Sequence, residues 1–192
     1  MDGQLGRLFE HLKRSGLYDE SLIIVTSDHG QAMKEPRKFP YYGHGNFLYQ
    51  ELVEVPLVVK FPRSARVKVE EGYQSLVGIK QLVEGVVEGK SYDLITGEVA
   101  FSEVFGFDLA SAIRGDVLPK GSESAIAEIF RPRKAVYKGG HRLVVDGKSG
   151  EIEEFSKGGK GLRQEENKKE LRDMVSELEL FRGNEKFLMP EV

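Results

Sequence analysis

Hydrophobic positions recur with a clear period in some segments of this chain and with none in others. Leu5, Leu8, Phe9 and Leu12 fall at i, i+3, i+4 and i+7. That spacing puts them on one face and predicts an amphipathic helix over 4–15. Gly16 follows where a left-handed C-terminal cap is expected. The run SLIIVTS at 21–27 is short, β-branched and almost unbroken, so it predicts a strand buried on both faces, as in a parallel sheet. Residues 28–46 lose this regularity and read as a long loop, a feature that is usually functional in a compact domain. A short helix near 47–52 and a second buried strand at 55–61, closed by Pro62, come next. Leu76, Ile79, Leu82, Val83, Val86 and Val87 mark a helix near 75–88, weakened by Gly78 and Gly85.

The similar hexamers AFSEVF (100–105) and AIAEIF (125–130) read as strands. From Lys134 the pattern is a meander: KAVYK, a Gly139-Gly140 turn, HRLVV, a DGKSG turn, then EIEEF. Two glycines between short β-type runs are a direct hairpin signal. Residues 158–161 read as a flexible loop. Leu171, Met174, Val175, Leu178 and Phe181 predict an amphipathic C-terminal helix. The expected fold class is α/β: part of a parallel sheet with helices, then a small antiparallel sheet plus a C-terminal helix. The expected division is 1–65 for the α/β portion with its loop chemistry and 66–192 for the connecting helix and antiparallel lobe.

Composition narrows the function classes. The 192 residues carry 28 basic and 31 acidic side chains, for a formal net charge of −3. This balance argues against a dedicated nucleic-acid binder. With no cysteine in the sequence, disulfides, thiolate zinc sites and cysteine nucleophiles are excluded. No apolar run approaches a membrane span, and Met1-Asp2-Gly3 does not open a signal peptide. The expectation is a cytoplasmic protein with neither nucleic acid nor membrane as partner.

Two short motifs carry candidate chemistry. Asp28-His29-Gly30 follows directly on a buried strand, and ligands of open α/β sheets gather beyond the carboxyl ends of strands. Carboxylate and neutral imidazole both ligate divalent metals. The chain can bend at a strand end, and Gly30 allows a backbone conformation that other residues resist, so both side chains could reach one ion. The bland reading is an Asp capping loop amides beside an incidental His. In Gly43-His44-Gly45 the flanking glycines leave the imidazole exposed and let an anion approach. Its cation would attract sulfate or phosphate; its bland reading is a mobile loop His without a role. His11 reads as solvated and His141 as a surface or packing residue. Arg131, Arg133, Lys134 and Lys138 read as a solvated basic face, Lys38 as a weaker anion contact, and Glu103 and Glu128 have no assigned role.

Together these strings resemble a family. GLYDESLIIVTSDHG at 16–30 and YYGHGNFLYQELVEVPLVVKFP at 41–62 are similar to the C-terminal half of the sulfatase branch of the alkaline phosphatase superfamily. KAVYKGGHRLVVDGKSGEIEEF at 134–155 resembles that branch's C-terminal meander, whose closing string is present in degraded form as Glu153-Glu154-Phe155-Ser156-Lys157. The resemblance implies an alkaline-phosphatase-like sheet. It implies that Asp28 and His29 are two metal ligands and that His44 contacts the sulfate or phosphate oxygens. It implies a divalent cofactor (calcium, manganese or zinc) and a sulfate or phosphate ester substrate.

The family's nucleophile motif, Cys/Ser-x-Pro-x-Arg, does not occur in the sequence; Ser64-Ala65-Arg66 follows a proline but has the wrong order. One carboxylate and one imidazole do not complete an ion's coordination, so metal binding is expected to be weak or absent. Three readings stay open. The chain is the C-terminal part of a sulfatase-like hydrolase, inactive alone and completed by a complementary N-terminal chain. It is a non-catalytic, self-associating (homo-oligomeric) module of the same fold. Or it belongs to the phosphodiesterase or phosphomutase branch.

Overall fold

The computed structural model describes residues 2–33, 42–64, 72–90, 99–106, 127 and 130–183. Helix α1 (Asp2–Arg14) forms where the heptad-like spacing predicts it. Its end is a Schellman motif. The Leu17 amide donates to the Leu12 carbonyl (2.9 Å), the Gly16 amide donates to Lys13 (3.1 Å), and Gly16 sits at φ 72°. The Tyr18 ring packs edge-on against Phe9. The turn after it is tied down by Lys60, whose ammonium donates to the carbonyls of Tyr18, Asp19 (3.0 Å) and Ser21 (3.1 Å).

Strand β1 (Ile23–Val25) follows, and then two short bridging strands, β2 (Ala32–Met33) and β3 (Tyr42–Gly43), inside the segment expected to be all loop. Helix α2 (Gln50–Val53) and strand β4 (Val58–Lys60) complete this half. Strand β1 pairs with β4 antiparallel, with Ile24 opposite Val59; among the described residues every strand pairing is antiparallel, so the parallel sheet expected from the buried runs is not seen there. Both strands are half-buried or exposed rather than buried on both faces. Among the described residues this ribbon has no third strand beside it. A 3₁₀ turn (Leu76–Gly78) leads into α3 (Ile79–Val87), whose Gly85, like Gly78 before it, is buried.

The remaining elements form one antiparallel sheet in chain order: β5 (Val99–Val104), β6 (Arg133–Lys138), β7 (His141–Asp146), β8 (Ile152–Lys157) and β9 (Lys160–Gly161). The AFSEVF hexamer lies within and just beyond β5; AIAEIF falls almost wholly outside the described residues, as does Lys38. The β6–β7 turn uses Gly139 and Gly140 at φ 55° and 76°, the double positive φ of a hairpin that matches strand twist. Gly158 and Gly159 repeat those values and build the β8–β9 turn where a flexible loop was expected. A bulge at Val144/Val145 shifts the β7–β8 register.

Alternation sends Val136, Leu143, Val145 and Phe155 to one face, where Met174 and Leu178 of helix α4 (Lys168–Gly183) cover them. Lys138 reinforces the docking through Asp173 (2.9 Å) and Glu177 (2.7 Å). The opposite face collects Ala100, Ala135, Tyr137 and Val144, and receives Leu48 from the segment after β3. The antiparallel sheet under a C-terminal helix is thus present as the hydrophobic pattern predicts. No described helix is long and apolar enough to cross a membrane.

Candidate functional site

Asp28, His29 and His44 meet at the mouth of one large cleft of about 1550 Å³, which runs from the end of β1 past α2 to Tyr137 and Lys157 of the antiparallel sheet. Chain direction at the end of β1 is set by Gly30. Its amide donates to the Leu52 carbonyl (2.8 Å), and a Cβ here would collide with the Glu51 carbonyl oxygen and stand 3.2 Å from Leu52 Cα. Gly30 is therefore required by the close approach of α2. The expectation that it supplies a positive φ is corrected, since its φ is not in that region.

The Asp28 carboxylate accepts the His29 amide at 3.0 Å and the Ser27 hydroxyl at 3.4 Å through Oδ1. Its Oδ2 faces His29 Nε2 at 3.7 Å. The two side chains thus turn toward a common point. The His29 amide, assisted by the Asp28 amide, the His29 ring and Ser27 against a small opposing effect of burial, holds the Asp28 carboxyl below its ordinary value. It therefore stays anionic under more acidic conditions than a free aspartate. His29 Nδ1 lies 2.8 Å from the Gly30 carbonyl. A carbonyl can only accept, so Nδ1 carries a ring proton, and Nε2 is the nitrogen turned toward Asp28.

The His44 ring stacks on His29, with centroids 4.0 Å apart and planes inclined by 22°. Its Nδ1 pairs with Gln31 Oε1 at 3.0 Å. The sequence-predicted residues thus come together although fifteen positions separate Asp28 and His29 from His44. The donor set fits two positions of a divalent ion's shell: a carboxylate oxygen and an imidazole nitrogen converge, and the imidazole's other nitrogen is fixed by a carbonyl, as metal-binding histidines commonly are. Among the described residues no group of three or more potential ligands is assembled.

Gln31 and Arg142 escaped the sequence reading, and Arg133 was expected to be solvated. Gln31 orients His44. Arg133 and Arg142 are 2% and 5% exposed. Arg133 pairs with Glu153 (2.8 Å) and Arg142 with Glu154. Lys134 is also buried and pairs with Glu103 at 3.0 Å. The expected solvated basic face is therefore a set of largely buried ion pairs, and Glu103 has a partner. The signal that could have exposed this is the placement of Arg133 and Arg142 in line with the inward-facing Ala135, Tyr137 and Val144. His11 is exposed, as expected, and His141 packs beside Phe155.

The described fold is mixed α/β, with a five-stranded antiparallel sheet under a C-terminal helix. The chain superposes on the phosphonate monoester hydrolase SpPMH from Silicibacter pomeroyi with a TM-score of 0.64 at 16% identity, over 96% of this chain and 38% of that one. The Sulfatase family model matches residues 1–83, in line with the motifs at 16–30 and 41–62. It is 32% identical over 81 residues to the multifunctional alkaline phosphatase superfamily protein PehA of Trinickia caryophylli, covering 41% of this chain and 15% of that protein. It is 28% identical over 142 residues to an endo-4-O-sulfatase of Bacteroides thetaiotaomicron, covering 71% and 23%. An N-acetylglucosamine-6-O-sulfatase of the same organism is 30% identical over 66 residues, covering 34% and 11%. The chain spans less than a quarter of the length of each of these curated relatives.

Proposed function

We propose that this chain supplies the metal- and anion-facing wall of a sulfatase-type hydrolase of sulfate or phosphate esters. The observation that carries the reading is the convergence of the Asp28 carboxylate and the His29 ring, with His44 stacked on that ring, at one end of a single cleft. Asp28 Oδ2 and His29 Nε2 would hold a divalent ion; such an ion, when bound, polarises the ester oxygen and activates the attacking group. His44 presents its ring nitrogen to the ester's anionic oxygens, and Gln31 keeps that ring oriented. Lys157, on the far wall of the cleft, adds positive charge along the substrate's path.

Turnover also needs a nucleophile, and the family's motif for it is not in this sequence. The chain by itself therefore has negligible sulfatase or phosphatase turnover. A chain of the same fold carrying Cys/Ser-x-Pro-x-Arg, added in trans, restores it. Manganese added to the histidine-labelled protein tests the reading: paramagnetic broadening concentrates on the ring signals of His29 and His44, and Asp28→Ala removes it. Broadening equal at His11, or unchanged in Asp28→Ala, defeats the assignment.

The reading covers two substrate classes, sulfate esters and phosphate esters. Comparing phosphate with sulfate as perturbants of the His44 ring signals separates the two.

A further inference from the structure

His44 lies between two glycines at positive φ, Gly43 (140°) and Gly45 (96°), so its own backbone does little to fix it. On the N-terminal side the chain is pinned by the β2–β3 bridge, where Gly43 pairs with Ala32. On the C-terminal side Asn46 is anchored from the antiparallel sheet. Arg133 Nη1 donates to the Asn46 carbonyl at 3.3 Å, and its guanidinium lies over the Phe47 ring at 4.6 Å. Two residues on, the Leu48 carbonyl accepts from Arg142 Nη2. The two guanidiniums therefore hold the carbonyls at both ends of the 46–48 segment.

We propose that Arg133 and Arg142 are positioning residues that clamp the 46–48 segment onto the antiparallel sheet and so hold the His44 ring against His29. Burying two arginines is a poor way to gain stability alone, because apolar residues of similar volume do as well or better. What arginine adds is a rigid fork that can satisfy a carboxylate and a carbonyl together. Both residues use it so: Arg133 spans Glu153 and Asn46, and Arg142 spans Glu154 and Leu48. A lysine can satisfy one partner of each pair but not both in the same geometry. The clamp rests on the proposed function only for what His44 does; where His44 sits is independent of what it binds.

The test reads that placement directly. In the full chain, ring protons of His29 and His44 at the observed stacking give an inter-ring nuclear Overhauser effect. Arg142→Met is expected to abolish it and Arg133→Lys to weaken it, while the methyl signals of Leu143 and Val145 under α4 keep their wild-type shifts. A folded variant of either kind with the full inter-ring effect overturns the clamp. Should neither variant fold, the wild-type protein decides: Overhauser effects from the Arg133 guanidinium protons to Asn46 and Phe47 support the clamp, and their absence overturns it. Failure of the metal and anion reading looks different, with manganese broadening lost but these guanidinium contacts intact.

Discussion

The antiparallel sheet with α4 and the α1–β1–β4 half are built on opposite principles. In the sheet, Val136, Leu143 and Met174 are fully buried, and every strand but β5 and β9 has a neighbour on both sides. In the other half α1 has no buried residue, Leu8 and Leu17 remain 49% and 54% exposed, and the ribbon has two strands. Yet the less buried half holds Asp28, His29 and His44. The difference teaches that the candidate site is held from two sides: by the β2–β3 bridge and Gln31 beside it, and by the sheet through Leu48 and the two guanidiniums.

The contrast is broken or sharpened by four substitutions. Leu143→Ala should have the largest effect, about 2–5 kcal/mol for a truncation in a filled core. Urea denaturation should show loss of the sheet, and with it loss of the His29–His44 stack. Asp146→Asn comes next. Burial raises the Asp146 carboxyl, but the Ser149 and Lys148 amides, the Ser149 hydroxyl and Arg131 outweigh it and hold the group below its ordinary value. A carboxyl depressed in the folded state stabilises fully above the unfolded-state value, near pH ~4, and loses that contribution as pH falls through the folded value. Asp146→Asn should therefore cost about 1.5–3 kcal/mol at neutral pH, from hydrogen bonds to a charged acceptor. The gap to wild type should close in acid; a gap that persists there rules out the charge as its source.

Gly30→Ala forces the end of β1 away from α2 and should cost about 1–3 kcal/mol, typical of overpacking. Its mark is local. The inter-ring contact of His29 and His44 weakens, while Leu143 and Val145 methyl shifts stay put; a shift spread across the sheet would mean that the two halves are not separately built. Leu8→Ser should be the mildest, within about 0.5 kcal/mol, as for an exposed surface position. A thermal shift well beyond that would show α1 packed more deeply than its exposure indicates.

Much of this was legible in the chain. The i, i+3, i+4, i+7 spacing of Leu5–Leu12 and the glycine after it marked α1 and its cap. Gly139-Gly140 marked the β6–β7 hairpin, and the Leu171–Phe181 periodicity marked α4. Those signals are local, set by backbone preference and one-sided burial. Asp28, His29 and His44 could be singled out because glycines and a strand end frame them. What was not legible depends on contacts distant in sequence. Arg133 and Arg142 look like ordinary surface cations until the register places them beside Ala135 and Val144. The requirement for Gly30 arises from α2, some twenty residues on, not from its own torsion. The antiparallel pairing of β1 with β4 is likewise decided by tertiary neighbours, since a short apolar run does not state its direction.

The guanidinium contacts to Asn46 and Leu48 span 87 and 94 positions of sequence, whereas the β6–β7 hairpin closes through two glycines. Loop closure over such a span is slow and entropically costly compared with a tight turn. Closure entropy alone therefore favours a meander that forms before its arginines engage the 46–48 segment, an order that pulsed hydrogen exchange would read as β6 and β7 amides protected ahead of Gly43.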